Sequence, residues 1–464
     1  MKTINYVIYG IFAIVLMACN NPASDKNKET DGEKMTEGKN AAVVNLPLEW
    51  TVNANIYEVN IRQYSEEGTF NAFIEQLPRL KEMGVDILWI MPIYPIGQKN
   101  KKGELGSYYS ISDYTGINPA FGELDDFKKL VEKAHQMGMY VILDWVANHT
   151  AWDHPWIKEH PEYYEKDADG KMISPFDWTD VVSLDYNNQE MRKAMRDAMQ
   201  YWLKEANIDG FRCDVAGEVP TDFWNWLRPQ LDDVKPVFML AESEKPELLE
   251  SAFDMDYGWE FHHIMNEIAQ GKKNVKDIIS YLKVEQERTS ARAYKMYFIT
   301  NHDENSWNGS IKERMGDAAD AWAVYTFTMH AMPLIYSGQE AANEKRLEFF
   351  EVDPIDWKDY PKQGFYQKLI EIKHQNEALW NGANGGDFKP LKTDHPEKIL
   401  AFRRLKGDND MVVIINFSKE AFTSQLQDFQ LKDFEVLIED NISFNQDHQS
   451  FEMEPWGYAV LRKK

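Results

Sequence analysis

The sequence predicts an α/β protein: a (β/α)8 TIM barrel with a small domain inserted after strand three and an antiparallel β-domain at the C-terminus. Three observations predict it. Eight short apolar, β-rich runs alternate with longer amphipathic stretches, the pattern of parallel pairing, and eight repeats favour closure into a barrel over an open sheet. The 44 residues from Trp145 to Asn188 separate a strand from its helix, a connection too long to be passive. Past about Trp380, short β-runs continue with no long helix between them.

Taken in order, residues 1–19 read as a secretory signal. Lys2 supplies the positive end and Tyr6 to Ala18 an apolar run, shorter than the ~20 residues that span a bilayer. It ends Leu16-Met17-Ala18-Cys19, which resembles a bacterial lipobox, so Cys19 is expected to be lipidated; a plain signal peptide is the alternative. Residues 20–45 are Lys, Glu, Asp, Ser, Gly and Thr-rich and read as a flexible tether. The barrel is expected over 46–380, with 145–188 as the insert, and the β-domain over 381–464.

Within the barrel, the expected strands are Asn55–Asn60, Asp86–Met91, Met139–Asp144, Ile208–Asp214, Val237–Glu242, Ala252–Asp256, Lys295–Thr300 and Pro333–Tyr336. Thr69–Met83 has helical spacing interrupted by Pro78, so a kink is expected there. Further helices are expected at Leu124–Met137, Gln189–Ala206, Asp222–Leu231, Ala318–His330 and Phe365–Gln375. Four strands follow at Ile399–Arg404, Met411–Phe417, Phe434–Ile438 and Tyr458–Arg462.

Composition narrows the function. Net charge is −25, from 76 Asp and Glu against 51 Lys and Arg, which disfavours nucleic acid as a partner and says nothing against a neutral sugar. With 43% hydrophobic residues a large core is available, and two cysteines, Cys19 and Cys213, exclude a disulfide framework.

Chemistry-bearing residues close the strands. Strand three runs into Asp144 and then Asn148-His149, strand four into Arg212 and Asp214, and strand five into Glu242. Strand seven runs into Asn301-His302-Asp303 and strand eight into Glu340. Such residues are poor strand formers, and five strands delivering them to one rim point to a site. Arg212 and Asp214, two apart on a strand, share a face, so the guanidinium can hold the carboxylate ionised. No HExxH, cysteine cluster, GxGxxG or P-loop is present. A barrel metal hydrolase lacks its His-x-His pair here, since strand one carries Glu58-Val59-Asn60. His262-His263 with Glu267 read as solvated helix residues. Carboxylates flanked by Arg and aromatics suit glycoside hydrolysis.

These segments resemble the α-amylase family of retaining glycoside hydrolases. DWVANH (144–149), GFRCD (210–214), Ala241-Glu242 and NHD (301–303) match its four signature segments in order and in strand position, supported by GVDILWIMP (84–92) and MPLIYSGQE (332–340). The resemblance implies Asp214 as nucleophile, Glu242 as general acid and then base, and Asp303 as stabiliser of the transition state. It implies Arg212 orienting Asp214, His149 and His302 binding the sugar, and Tyr109 stacking on it, while Asp144 supports the site. Of the insert's aromatics (Trp152, Trp156, Tyr163, Tyr164, Phe176, Trp178), half are expected in its core, with Trp152 favoured for sugar because it follows His149 closely.

One departure stands out. Where many relatives carry Lys-His three and four residues after the nucleophile, this chain has Gly217 and Glu218. No organic cofactor is implied. A structural calcium, with Asn148 among its ligands, remains an option. The expected protein is an exported, membrane-anchored lipoprotein that hydrolyses α-1,4-glucans. Transglycosylation, α-1,6, sucrose or trehalose chemistry is the alternative, and an inactive glycan-binding relative the remote one.

Overall fold

The computed structural model describes residues 48–288, 293–445 and 450–464. The signal, the tether and Cys19 lie outside the described residues.

Eight parallel strands close on themselves in chain order, the last pairing with the first: Ile56–Val59, Ile87–Ile90, Tyr140–Trp145, Gly210–Cys213, Phe238–Ala241, Met255–Tyr257, Tyr294–Phe298 and Met332–Tyr336. Successive side chains face opposite sides of a strand. Ile56, Trp89, Ile142, Leu240, Met296 and Leu334 therefore fill the barrel, while their neighbours Tyr57, Leu88, Leu143 and Met239 pack outward under the helices. The same alternation turns Glu58, Asp144 and Arg212 inward at the upper end. Gly210 opens strand four where a Cβ would lie 1.9 Å from the Phe238 carbonyl oxygen, so only glycine lets strands four and five approach.

The helices follow their local signals. Glu123 and Asp126 form a capping box at the start of Leu124–Gln136. The expected helix over Thr69–Met83 is broken rather than kinked: Thr69 caps Phe70–Ile74, and Pro78 sits in the first turn of Leu77–Met83, where its missing N–H costs no bond. Between strands six and seven lie two helices: Trp259–Ala269, which carries His262, His263 and Glu267 as the sequence suggested, and Val275–Arg288, which was not expected.

The insert carries a two-stranded sheet, His149–Ala151 with Val181–Ser183. The C-terminal sheet has six strands rather than four. Asp387–Thr393 and Phe422–Gln427, polar on one face and hence weak in pattern, complete it. It docks on the barrel through Phe417, stacked at 4.0 Å on Trp322 of helix Ala319–Thr328, so the described residues form one compact unit.

Candidate active site

At the C-terminal ends of the strands, one guanidinium organises the carboxylates. Arg212 is fully buried. Its Nη1 donates to Asp144 Oδ1 at 2.9 Å and to Asp214 Oδ1 at 3.1 Å, and its Nε to the Tyr257 hydroxyl at 3.2 Å. Its Nη2 lies 2.9 Å from Glu242 Oε2, an ion-pair contact without hydrogen-bond alignment. Trp89, Tyr257 and Tyr109 surround the cation, 5.0, 5.7 and 5.8 Å from ring centroid to Cζ.

The segment after Asp214 is strained. Val215 has φ 37°, a left-handed conformation that a β-branched residue rarely adopts, and its N–H donates to Glu242 Oε2 at 2.8 Å. The turn thus ties the residue following strand four to the carboxylate ending strand five.

A second cation sits opposite. His302 Nδ1 donates to Glu58 Oε1 at 2.5 Å, and Nε2 lies 2.8 Å from the Tyr109 hydroxyl and 3.3 Å from Asp303 Oδ2. Tyr109 in turn donates to Asp144 Oδ2 at 3.1 Å, as does the Trp89 indole N–H. Side chains on or directly after strands one to seven are thereby joined in one polar network, with Tyr109 stacked on His302 at 5.5 Å.

Burial sets the electrostatics. It pushes Asp214 well above the usual carboxylate range, with the neighbouring Glu242 carboxylate adding and Arg212 opposing, so the guanidinium does not by itself hold Asp214 ionised as the strand spacing suggested. Burial likewise raises Asp303 against the pull of His302. For His302, burial disfavours the charge, but Asp303 and Glu58 outweigh it and hold the imidazole at about 9, protonated at neutral pH. His149 is the reverse: burial brings it down to about 4, a neutral ring. Five carboxyls (Glu58, Asp144, Asp214, Glu242 and Asp303) around two cations carry excess negative charge, so the cluster favours retaining a proton.

Most of the residues expected from the sequence meet here. Asp214, Glu242, Asp303, Arg212, Tyr109 and His302 converge in this network, and fully buried Asp144 holds Arg212, Tyr109 and Trp89 together. His149 lies at the rim, buried, with Asn148 Nδ2 3.2 Å from its Nδ1 and Trp178 edge-on at 5.5 Å. Trp178, rather than Trp152, is the indole against His149. Trp152 donates to the Thr179 carbonyl at 3.0 Å and carries Lys99 over its ring at 5.2 Å. Tyr163 and Tyr164 are core, and Phe176 is 65% exposed.

Two expectations are corrected. Glu340 turns away from the rim and is buried with Tyr57 (2.6 Å) and Arg79 (3.0 Å) behind strand one, because it follows a turn beyond strand eight rather than the strand's inward face. His262 is not solvated. It is buried, 3.0 Å from Glu304 Oε2, while His263 and Glu267 lie on the outer side. Sequence reasoning missed the role of Glu58; its signal was an acidic residue inside an apolar strand.

At the departure after the nucleophile, Lys245 fills the gap. Its ammonium bonds the Gly217 carbonyl, and its stem would lie 3.4 Å from a Cβ at 217. The polar groups near Asn148 are engaged as follows, with the Asn148 Oδ1 outside these contacts. The Asn148 amide meets His149, Asp180 pairs with Lys102 at 3.1 Å, and Asp185 caps Asn187. Among the described residues no group of three or more His, Cys, Asp or Glu is arranged to hold a metal ion.

A family model for the catalytic domain of α-amylases matches residues 24–180 and 174–371. The chain belongs to the α-amylase family. An α-amylase structure from Lactobacillus plantarum superposes with a TM-score of 0.78 at 30% identity, over 89% of this chain and all of that one. Alpha-amylase MalA of Haloarcula japonica is 27% identical over 81% of this chain. An α-1,4-glucan:maltose-1-phosphate maltosyltransferase of Salinibacter ruber is 25% identical over 77%. This chain spans 57% and 58% of the lengths of those two proteins. Membership of the α-amylase family accounts for the arrangement of strand-end carboxylates: a family of enzymes acting on glycosidic bonds builds its site on this rim.

Proposed function

We propose that the protein hydrolyses α-1,4-glucosidic bonds of starch or maltooligosaccharides with retention, by double displacement. The reading is carried by the guanidinium of Arg212, which Asp214 and Glu242 share. That sharing gathers both carboxyls at one cation, and double displacement calls for a separation of about 5–5.5 Å between them. Asp214 attacks the anomeric carbon as the bond to the leaving oxygen breaks, and Glu242 gives that oxygen its proton. Glu242 then takes a proton from water, whose oxygen displaces Asp214 from the glycosyl ester. Asp303 and the His302 imidazolium bind sugar hydroxyls and stabilise the developing positive charge. Tyr109 stacks on the ring, and His149 offers a neutral ring at the rim.

Product analysis on amylose and maltoheptaose tests this, with Asp214→Asn as control. Retained turnover in that variant would remove the nucleophile assignment. Transfer to a sugar acceptor is the second reading. It is favoured by the altered leaving side, with Lys245 across Gly217, and by the maltosyltransferase among the relatives. Chain lengthening as the main outcome on maltoheptaose decides for it.

The lipobox-like segment ending at Cys19 supports export and anchoring to a membrane of a bacterial envelope, which would bring an extracytoplasmic α-glucan to this site.

A further inference from the structure

Directly after Asp303 the chain forms a π-helix, Glu304–Asn308. Wide turns of this kind recur at functional sites. This one is pinned from both sides. Glu304, buried, pairs with His262 and accepts from Asn308 Nδ2 at 2.8 Å, which ties the turn to the helix after strand six. Asn305 accepts from the Leu347 N–H at 2.8 Å and donates to the Lys345 carbonyl at 3.1 Å, and Ser306 donates to the Leu347 carbonyl at 2.9 Å. The loop after strand eight is thereby clamped to the loop that carries Asp303.

Between these anchors, Trp307 is held out into solvent, 52% exposed, although Glu304 and Asn305 beside it are 5% and 3% exposed. Its indole rests on Phe349 at 5.1 Å and Phe350 at 5.8 Å. Phe349 in turn stacks on Tyr109, at 6.2 Å and 15° between planes. One aromatic wall therefore runs from the His302–Tyr109 stack, through Phe349, to an exposed indole.

A lone exposed apolar side chain is ordinary. This one differs in being the end of a rigid, supported wall that begins inside the catalytic site. An α-glucan chain held at Tyr109 extends along whatever lies next to it, and the apolar C–H face of a glucosyl ring matches an indole face.

We propose that Trp307 is the platform of a further glucosyl subsite, remote from the scissile bond, which selects longer α-glucans; this rests on the α-glucan reading above. Its recognition is of a sugar face and needs no charge.

The test compares Trp307→Ala and Trp307→Phe with the unaltered protein on maltoheptaose and on a nitrophenyl α-maltoside. The quantity read is the ratio of kcat/KM for the long substrate to that for the short one. Trp307→Ala is expected to lower the ratio about ten-fold, the loss of one aromatic–sugar stack, and Trp307→Phe to restore most of it. A ratio equal to that of the unaltered protein in Trp307→Ala would overturn the subsite alone. If the unaltered protein cleaves neither substrate, the α-glucan reading and this subsite fall together.

Discussion

Glu58→Gln removes one of the two carboxylates, Asp303 and Glu58, that together charge His302. The Glu58 carboxylate sits 2.5 Å from Nδ1 in a site where both side chains are buried, so solvent screens the attraction little. Its partner His302 is held at about 9 against an ordinary value near 6.5. That difference corresponds to about 3 kcal/mol favouring the imidazolium over the neutral ring in the folded protein.

The sign follows from the direction. A histidine raised on folding contributes stability fully below its unfolded pKa, and that contribution is lost as pH rises through about 9. Glutamine keeps the volume and can still accept from Nδ1, but it removes the charge. An opposite charge at this range moves a pKa by about 1–3 units, so the alkaline limb of kcat/KM should fall toward neutrality by that amount. Asp303 remains to hold part of the shift. The assay is a pH profile on a chromogenic maltooligosaccharide, paired with thermal melts at each pH. An alkaline limb in the same place in both proteins, with equal melts above neutral pH, would refute a share for Glu58 in the charge of His302.

Other perturbations read other parts of the network. Arg212→Met should lose about 3–5 kcal/mol in urea melts, because Asp144, Asp214 and Glu242 lose their common cation; the deficit should shrink at acid pH, and a constant deficit counts against the electrostatic account. Gly210→Ala should abolish soluble folded protein or depress its Tm severely, since the new Cβ meets the Phe238 carbonyl at 1.9 Å; a melt like that of the unaltered protein excludes this close approach. Cys19→Ala should move the protein from the membrane to the soluble fraction, and unchanged fractionation removes the lipid anchor.

The convergent carboxylates are legible in the order of residues alone. Asp144, Asp214, Glu242 and Asp303 each follow an apolar β-run, where nothing local rewards a charge, and a parallel barrel collects such ends on one rim. The helix Val275–Arg288 is harder to see, lying between two short strands. The polar-faced strand Asp387–Thr393 is hidden too, since much of it faces water.

By itself, then, the amino-acid sequence determined the barrel, the insert, the terminal sheet and which acids close which strands, because period and burial are local properties of the chain. Partnership was decided only by tertiary structure. Glu58 meets His302 across 244 positions, Glu340 turns back to Tyr57 across 283, and His262 is buried against Glu304 rather than hydrated. A side chain's charge state and company depend on what folding brings alongside it, and barrel closure joins the first strand to the last.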